Sequence, residues 1–368
     1  MKFRSLAFLG GVAMCLFLHA SPAAAQKRKN TEPKSQVTPL PPEPPMALAV
    51  DTESLDFHIS PLLKTGGLSA QIKQSLNDLI RDTHGETIIK LRAFVAGAGD
   101  ARRVQALVLD LFTDHHLPLP VLTIVQVGAL GLDTAQVVIE AVVSTHRVVN
   151  PNGLAFFFDQ RGRSLMNAVE QFQANAKAAN VPLGNVLTCT CFAARIEDHE
   201  AALKQVKDLF PKADLNLVQA IRDPLSTSAN CEGVAQLASA PKDPVVLEQF
   251  AHATLVHSTQ LIFTGLQLSF GNYLDDGQQA FARLQRAAGA LQPVETPVML
   301  DGFALDNSAA AALRKTIPLG PRTFTIHGVE GLPSMDASAG IEAILAPNVQ
   351  AAVVQQEKAG QTGTILHE

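Results

Sequence analysis

Tryptophan is absent from this 368-residue chain and tyrosine occurs once. That scarcity removes the flat aromatic platforms on which sugars or single-stranded nucleic acids stack. Positive charge is not in excess either: 29 Lys and Arg stand against 34 Asp and Glu, a formal net charge of -5, with no large basic block in the globular part. Nucleic acid is therefore not an expected partner. The chain also lacks a G-x-S-x-G elbow, an H-E-x-x-H pair and a P-loop. No metal and no cofactor is predicted.

Cysteines are few. Cys15 lies in the N-terminal apolar stretch, which leaves Cys189, Cys191 and Cys231. Cys189 and Cys191 are two apart on a predicted strand and share a face, so direct pairing between them would be strained. One of them can reach Cys231 and leave one free thiol. The preferred reading is three buried, small, apolar side chains. Further ligands at zinc spacing are not near in the sequence.

Hydrophobic residues make up 47% of the chain and charged residues 17%, enough to build two or three cores. The N-terminus carries Lys2 and Arg4, an apolar run over 6–18, and Ala23-Ala24-Ala25 before Gln26. This pattern predicts a secretory signal over 1–25, because the apolar run is shorter than the ~20 residues of a spanning helix. A lipoprotein signal at Cys15 is disfavoured by the bulky Met14 before it. No later run is apolar enough to span a bilayer, so the expectation is an exported protein, periplasmic or secreted, without a stable membrane span after cleavage. Residues 26–45 are basic, then proline-rich, and read as a linker. The polar stretch at 351–368 reads as a loose tail.

Between these ends one order of elements recurs over 46–146, 147–245 and 246–350. Apolar spacing of three or four predicts helices over 68–83, 100–112, 165–179, 198–210, 275–291 and 307–316. Asp198 and Asn307 are the expected caps of two of them. Alternation predicts strands over 88–97, 122–130, 135–143, 153–160, 186–195, 215–221, 231–238, 261–270, 297–306, 324–332 and 339–346. Phe94, Phe192 and Phe303 recur mid-strand about a hundred residues apart, longer than a solenoid module and about one small domain. Asp110-Leu111-Phe112 recurs as Asp208-Leu209-Phe210, and Val125-Gln126 as Val218-Gln219. Glu140 and Glu342 occupy matching Ile-Glu-Ala triplets.

This order, with IIKLRAFVAGAGD, TIVQVGAL and VVIEAVV in the first stretch, VLTCTCFAARIEDHEAALKQVKDLF in the second, and LIFTGLQLS and VEGLPS in the third, resembles the YjgF/RidA family of small trimeric proteins. The resemblance spans roughly residues 47–346 and implies an α+β fold of the chorismate-mutase type. Three RidA-like units, each a mostly antiparallel sheet covered by two helices, would pack as an intramolecular pseudo-trimer, and the protein would be a monomer. Such proteins hydrolyse 2-imino or enamino acids to 2-keto acids and ammonia in clefts between units, without a cofactor.

Carried over by residue, the last-strand glutamate that orients water maps to Glu140 and Glu342, with Ala235 in the second stretch. The arginine that clamps a substrate carboxylate falls on Leu122, Leu215 and, in the third stretch, Phe324; Arg322, two residues earlier on the same strand face, takes over there only with a local shift. The Ser/Thr-Gly turn that binds ligand maps to Thr264-Gly265. Leucine offers nothing to a carboxylate, so two clefts lose a charge-assisted clamp. The implied function is binding of a small metabolite or a partner in the clefts, with weak or no catalysis. One alternative is a deaminase-type hydrolase using Arg322 with Glu342 or Glu140; another is an exported scaffold reaching a partner through its tether. His327 reads as a satisfied, partly buried imidazole. His115-His116 and Asp275-Asp276 suit helix dipoles.

Overall fold

A computed structural model describes residues 42–352 apart from 98, 197–198, 224–225, 243–245, 271–272, 292–294, 317–322 and 348–350. The predicted signal, most of the predicted linker, the expected cap Asp198, the candidate Arg322 and nearly all of the predicted tail lie outside the described residues. In chain order the elements begin with β1 (Ala47–Asp51), β2 (Leu55–Ile59), α1 (Leu68–Asp82), β3 (Thr87–Ala96), α2 (Arg102–Asp114), β4 (Val121–Val127), β5 (Ala129–Leu130) and β6 (Val137–Ser144). Next come β7 (Leu154–Gly162), α3 (Leu165–Ala178), β8 (Val186–Ala193), α4 (His199–Leu209), β9 (Asp214–Gln219) and β10 (Ala229–Gln236). Then follow β11 (Leu247–Gln249), β12 (Ala253–Val256), β13 (Gln260–Thr264), β14 (Gln267–Phe270) and α5 (Tyr273–Gly289). The last are β15 (Glu295–Ala304), α6 (Asn307–Thr316), β16 (Phe324–Gly328), β17 (Ala337–Pro347) and β18 (Ala351–Ala352).

The strands form three mixed sheets. One has the order β2-β6-β3-β4; a second runs β18-β11-β12-β7-β10-β8-β9-β5; the third runs β1-β13-β17-β15-β16, with β14 also on β17. Each holds a parallel pair, β3 with β4, β8 with β9 and β15 with β16. A parallel neighbour needs a crossover, and α2, α4 and α6 supply it.

The expected α+β fold of three RidA-like units, each a mostly antiparallel sheet within an intramolecular pseudo-trimer, is corrected by this topology. The chain is mixed α/β, with sheets of four, eight and six strands. Strands also join sheets outside their own stretch: β1 pairs with β13, β5 with β9, and β11–β12 extend the sheet of β7. The reason is edge satisfaction. An edge strand presents unpaired N–H and C=O groups, and any extended segment nearby can cap them, whatever its place in the sequence. On the free edge of β4, Gln126 N–H donates to Gly331 O at 2.8 Å and Glu330 N–H donates to Gln126 O at 2.9 Å, which ties the first sheet to the connection between β16 and β17.

Alternation decides which face of each strand meets what. In β3, Leu91, Ala93 and Val95 face α1 and α2, packing with Ile72, Leu76, Val104 and Phe112. The opposite face carries Lys90, Arg92 and Phe94, and it is buried against the other sheets. A register shift between Ile88 and Lys90 lets Ile89 also join the inner core. Likewise Cys189, Cys191 and Ala193 of β8 pack beneath α3 and α4, while Phe192 joins Phe94 and Phe303 in an inner cluster shared by all three sheets. These strands are therefore covered on both faces.

Local details differ from the expectations in two places. Asp306, not Asn307, caps α6: its Oδ1 accepts from the N–H groups of Ser308 and Ala309 at 2.8 and 2.9 Å. Cys191 and Cys231 form a disulfide, and Cys189 is a buried free thiol, so the preferred reading of three unpaired cysteines is corrected. Adjacent strands bring the pair together, since Cys231 of β10 lies opposite Cys191 of β8.

Candidate functional site

Three rows of side chains meet where the sheets face one another. Arg92 lies between Thr123 and Glu140 on the first sheet. Thr190 lies between Asn216 and Glu232 on the second. Asp301 lies between Thr325 and Glu342 on the third. The register puts each row at one level of its sheet and points it inward.

Arg92 is the hub. Its Nε donates to Glu140 Oε2 at 2.7 Å, its Nη2 donates to Glu232 Oε1, and its Nη1 lies 3.3 Å from Glu342 Oε1 and 3.5 Å from Asp301 Oδ2. Lys90 Nζ donates to Glu342 Oε2 at 2.6 Å and to the Thr264 carbonyl at 2.8 Å. Thr123 Oγ1 also donates to Glu342 Oε2. The other oxygen of Glu140 accepts from Thr190 Oγ1 at 2.5 Å and Asn216 Nδ2 at 2.7 Å. The guanidinium also lies 5.4 Å from the ring centre of Phe94 and 6.0 Å from that of Phe192, adding cation–π attraction.

Burial and neighbours pull on these acids in opposite directions. Burial alone would raise the carboxyl of Glu232, but Arg92 and His327 outweigh it and hold it below its ordinary range. Glu342 is also held low, burial being outweighed by Lys90 and Arg92. Asp301 goes the other way: burial and then the charge of Glu232 push its carboxyl well above the ordinary range.

His327 closes the cluster on one side. Its ring stacks on Phe192 with centroids 3.8 Å apart and on Phe303 at 5.6 Å. Its Nε2 lies 3.6 Å from Glu232 Oε2 and 3.9 Å from Asp301 Oδ1. These contacts are too long for hydrogen bonds. The expectation of a satisfied imidazole thus fails at Nε2, which has no hydrogen-bond partner among the described residues.

Two spaces border the cluster. A cavity of about 90 Å³ is lined by the charged groups of Lys90, Arg92, Glu140, Glu232, Asp301 and Glu342 together with apolar side chains such as Phe57 and Met299. Its volume suits a few waters and is too small for a metabolite. An open cleft of about 820 Å³ lies between β7, β8 and β10 on one side and β16 on the other. Arg161 and Arg163 are exposed on it, and Asn230 and His327 line it.

The structure gathers some of the expected site residues and assigns them inward roles. Glu140 and Glu342 both meet Arg92, and Thr264 is joined to Glu342 through Lys90. Thr264 Oγ1 accepts from Ala343 N–H at 2.8 Å, so this turn serves the fold. A Cβ on Gly265 would stand 2.8 Å from the Leu122 carbonyl oxygen, which explains glycine there. The carry-over to Ala235 is corrected: Glu232 occupies the place in the second sheet that Glu140 and Glu342 hold in theirs. Cys231-Glu232-Gly233 was the available signal, the one charge of a buried strand. Lys90 and Arg92 in β3 and Asp301 in β15 are likewise charges among mostly apolar strand residues. An intramolecular charge inside a two-faced buried strand must find its partner elsewhere.

No protein-family model matches the sequence, and no curated protein matches it. Solved structures match it only at low similarity. A chorismatase is 11% identical, with 81% of this chain and 99% of that chain covered, at a TM-score of 0.24. A cyanuric acid hydrolase is 11% identical over 80% of this chain and all of its own, at 0.22. The phosphoribosylformylglycinamidine synthase II of Thermotoga maritima is 9% identical over 82% of this chain and 72% of its own, at 0.26. None of these three is a RidA protein. At such scores the likeness carries no argument about activity.

Proposed function

We propose that this chain is an exported protein that binds a small anionic metabolite in the open cleft beside β16, with weak or no catalysis. One observation carries the reading: the acid groups a hydrolase would use are occupied in the interior, while the cationic groups that would hold an anion are exposed on the cleft. Both oxygens of Glu140 and both of Glu342 already accept from cations, hydroxyls or an amide. A carboxylate so engaged, and held low like Glu342, is a poor general base toward water. Arg161, which also pairs with Asp159, and Arg163 instead face the cleft, where a guanidinium pairs well with a carboxylate; Glu170 lines the same cleft. The N-terminal signal pattern and the Cys191–Cys231 disulfide both suit an oxidising compartment outside the cytoplasm.

The test is a calorimetric titration with pyruvate and other small carboxylates, alongside ammonia release from an imino acid generated in situ. Saturable, salt-sensitive binding weakened at least about tenfold by the double change Arg161→Ala and Arg163→Ala is expected, with ammonia release at background. Ammonia release well above background and abolished by Glu342→Gln would establish the hydrolase instead. Absence of any saturable binding across the carboxylates would leave the scaffold reading.

A further inference from the structure

The cluster contains three polar atoms that the ion-pair network leaves over. They are Glu232 Oε2, Asp301 Oδ1 and His327 Nε2. Each belongs to a side chain that is 5% exposed or less, and none has a hydrogen-bond partner among the described residues. Burying such atoms unpaired costs about 1–3 kcal/mol each, more for charged groups. Three of them converging on one point is a single feature, and its chemistry is that of a ligand set. The three lie within 4.8 Å of one another.

We propose that Glu232, Asp301 and His327 form a binding site for one divalent transition-metal ion, of which Zn²⁺ is the best fit. Donors about 2.1 Å from a tetrahedral ion stand about 3.4 Å apart. The separations of 3.6 Å from His327 to Glu232 and 3.9 Å to Asp301 therefore need only a few tenths of an ångström of closure. One imidazole with two carboxylates suits zinc better than calcium or magnesium, which take oxygen donors.

The surroundings are arranged for such an ion. Arg92 takes Glu232 Oε1 and lies nearest Asp301 Oδ2, which leaves the opposite oxygen of each turned to the imidazole. Phe192 and Phe303 fix the plane of the ring. Four carboxylates face two fixed cations, Lys90 and Arg92, so a divalent ion balances the formal charge. His327 also lines the open cleft, which gives an ion a short way in. The ligands come from β10, β15 and β16, so no spacing in the sequence marks them.

The test uses untagged, chelator-stripped protein with its disulfide intact, titrated with Zn²⁺ alone. One equivalent binds with a micromolar or tighter constant, and millimolar Mg²⁺ does not displace it. His327→Gln and Asp301→Asn each weaken binding, the first by at least about a hundredfold and the second by at least about tenfold. Cys189→Ser leaves affinity unchanged, and Co²⁺ gives visible d–d absorption without thiolate charge-transfer bands. If His327→Gln does not fold, Asp301→Asn, which keeps the shape of the protonated acid, decides the matter. Absence of saturable Zn²⁺ binding, wild-type affinity in the variants, or loss of the site in Cys189→Ser would overturn the proposal.

Discussion

Replacing Arg92 by methionine isolates what the buried network contributes. The change keeps much of the side chain's apolar length and removes only the guanidinium. Four carboxylates lose a cation at once: Glu140 at 2.7 Å, Glu342 at 3.3 Å, Asp301 at 3.5 Å, and Glu232, which is closest. Lys90 still serves Glu342, and Thr190 and Asn216 still serve Glu140. Glu232 keeps only His327 at 3.6 Å. Breaking a buried pair by removing one partner costs about 3–5 kcal/mol, and the loss at Glu232 places Arg92→Met in that range at neutral pH. The cost depends on pH with a definite sign. Glu232 and Glu342 are held low, so their stabilising contribution is present above their unfolded values and is lost as pH falls through their folded ones. The gap between wild type and variant should therefore shrink on acidification. Urea denaturation at a series of pH values measures it. A gap within about 1 kcal/mol at neutral pH, or one that does not narrow in acid, would refute the argument that Arg92 holds these charges in the interior.

Other outcomes follow from the same geometry. Asp301 is raised by burial and Glu232, so its contribution is complete below its unfolded value and is lost as pH rises through the folded one; metal-free Asp301→Asn should show a flatter stability profile on the alkaline side than wild type. The Cys191–Cys231 bond spans 40 residues, and its removal by Cys191→Ser with Cys231→Ser should cost about 3–4 kcal/mol in denaturant unfolding. Burial, then Glu232 and Glu140, push the Cys189 thiol far up, so iodoacetamide should label it only after unfolding, as mass spectrometry reads. Gly153 has φ +97°, and a Cβ there would stand 2.0 Å from the Val256 carbonyl oxygen; Gly153→Ala should destabilise by at least about 2 kcal/mol in the same unfolding assay.

The two faces of β3 obey different rules. Periodicity alone located this strand and the helices α1 and α2 that cover one of its faces, because a side chain's direction depends only on backbone repeat. The same local rule located the other helices and most of the remaining strands. The inner face was not legible in this way. Lys90 and Arg92 sit in an apolar strand, and their partners Glu342, Glu232 and Asp301 lie on two other sheets, up to 252 residues away. Edge pairing escaped for a similar reason. The backbone hydrogen bonds of β1 with β13 and of β5 with β9 need only proximity, not a side-chain pattern.

The helices, most strands and the apolar faces were legible in the residue order, since these follow from local repeat and from the free energy of removing apolar groups from water. Packing of the whole chain set which sheet each edge strand joins, brought Cys191 to Cys231, and put Glu140 and Glu342 against cations in the interior. It alone brought Glu232, Asp301 and His327 to one point. The physical reason is range: backbone periodicity acts over a few residues, whereas charge pairing and edge hydrogen bonding act between groups whose distance is set only when the whole chain has packed.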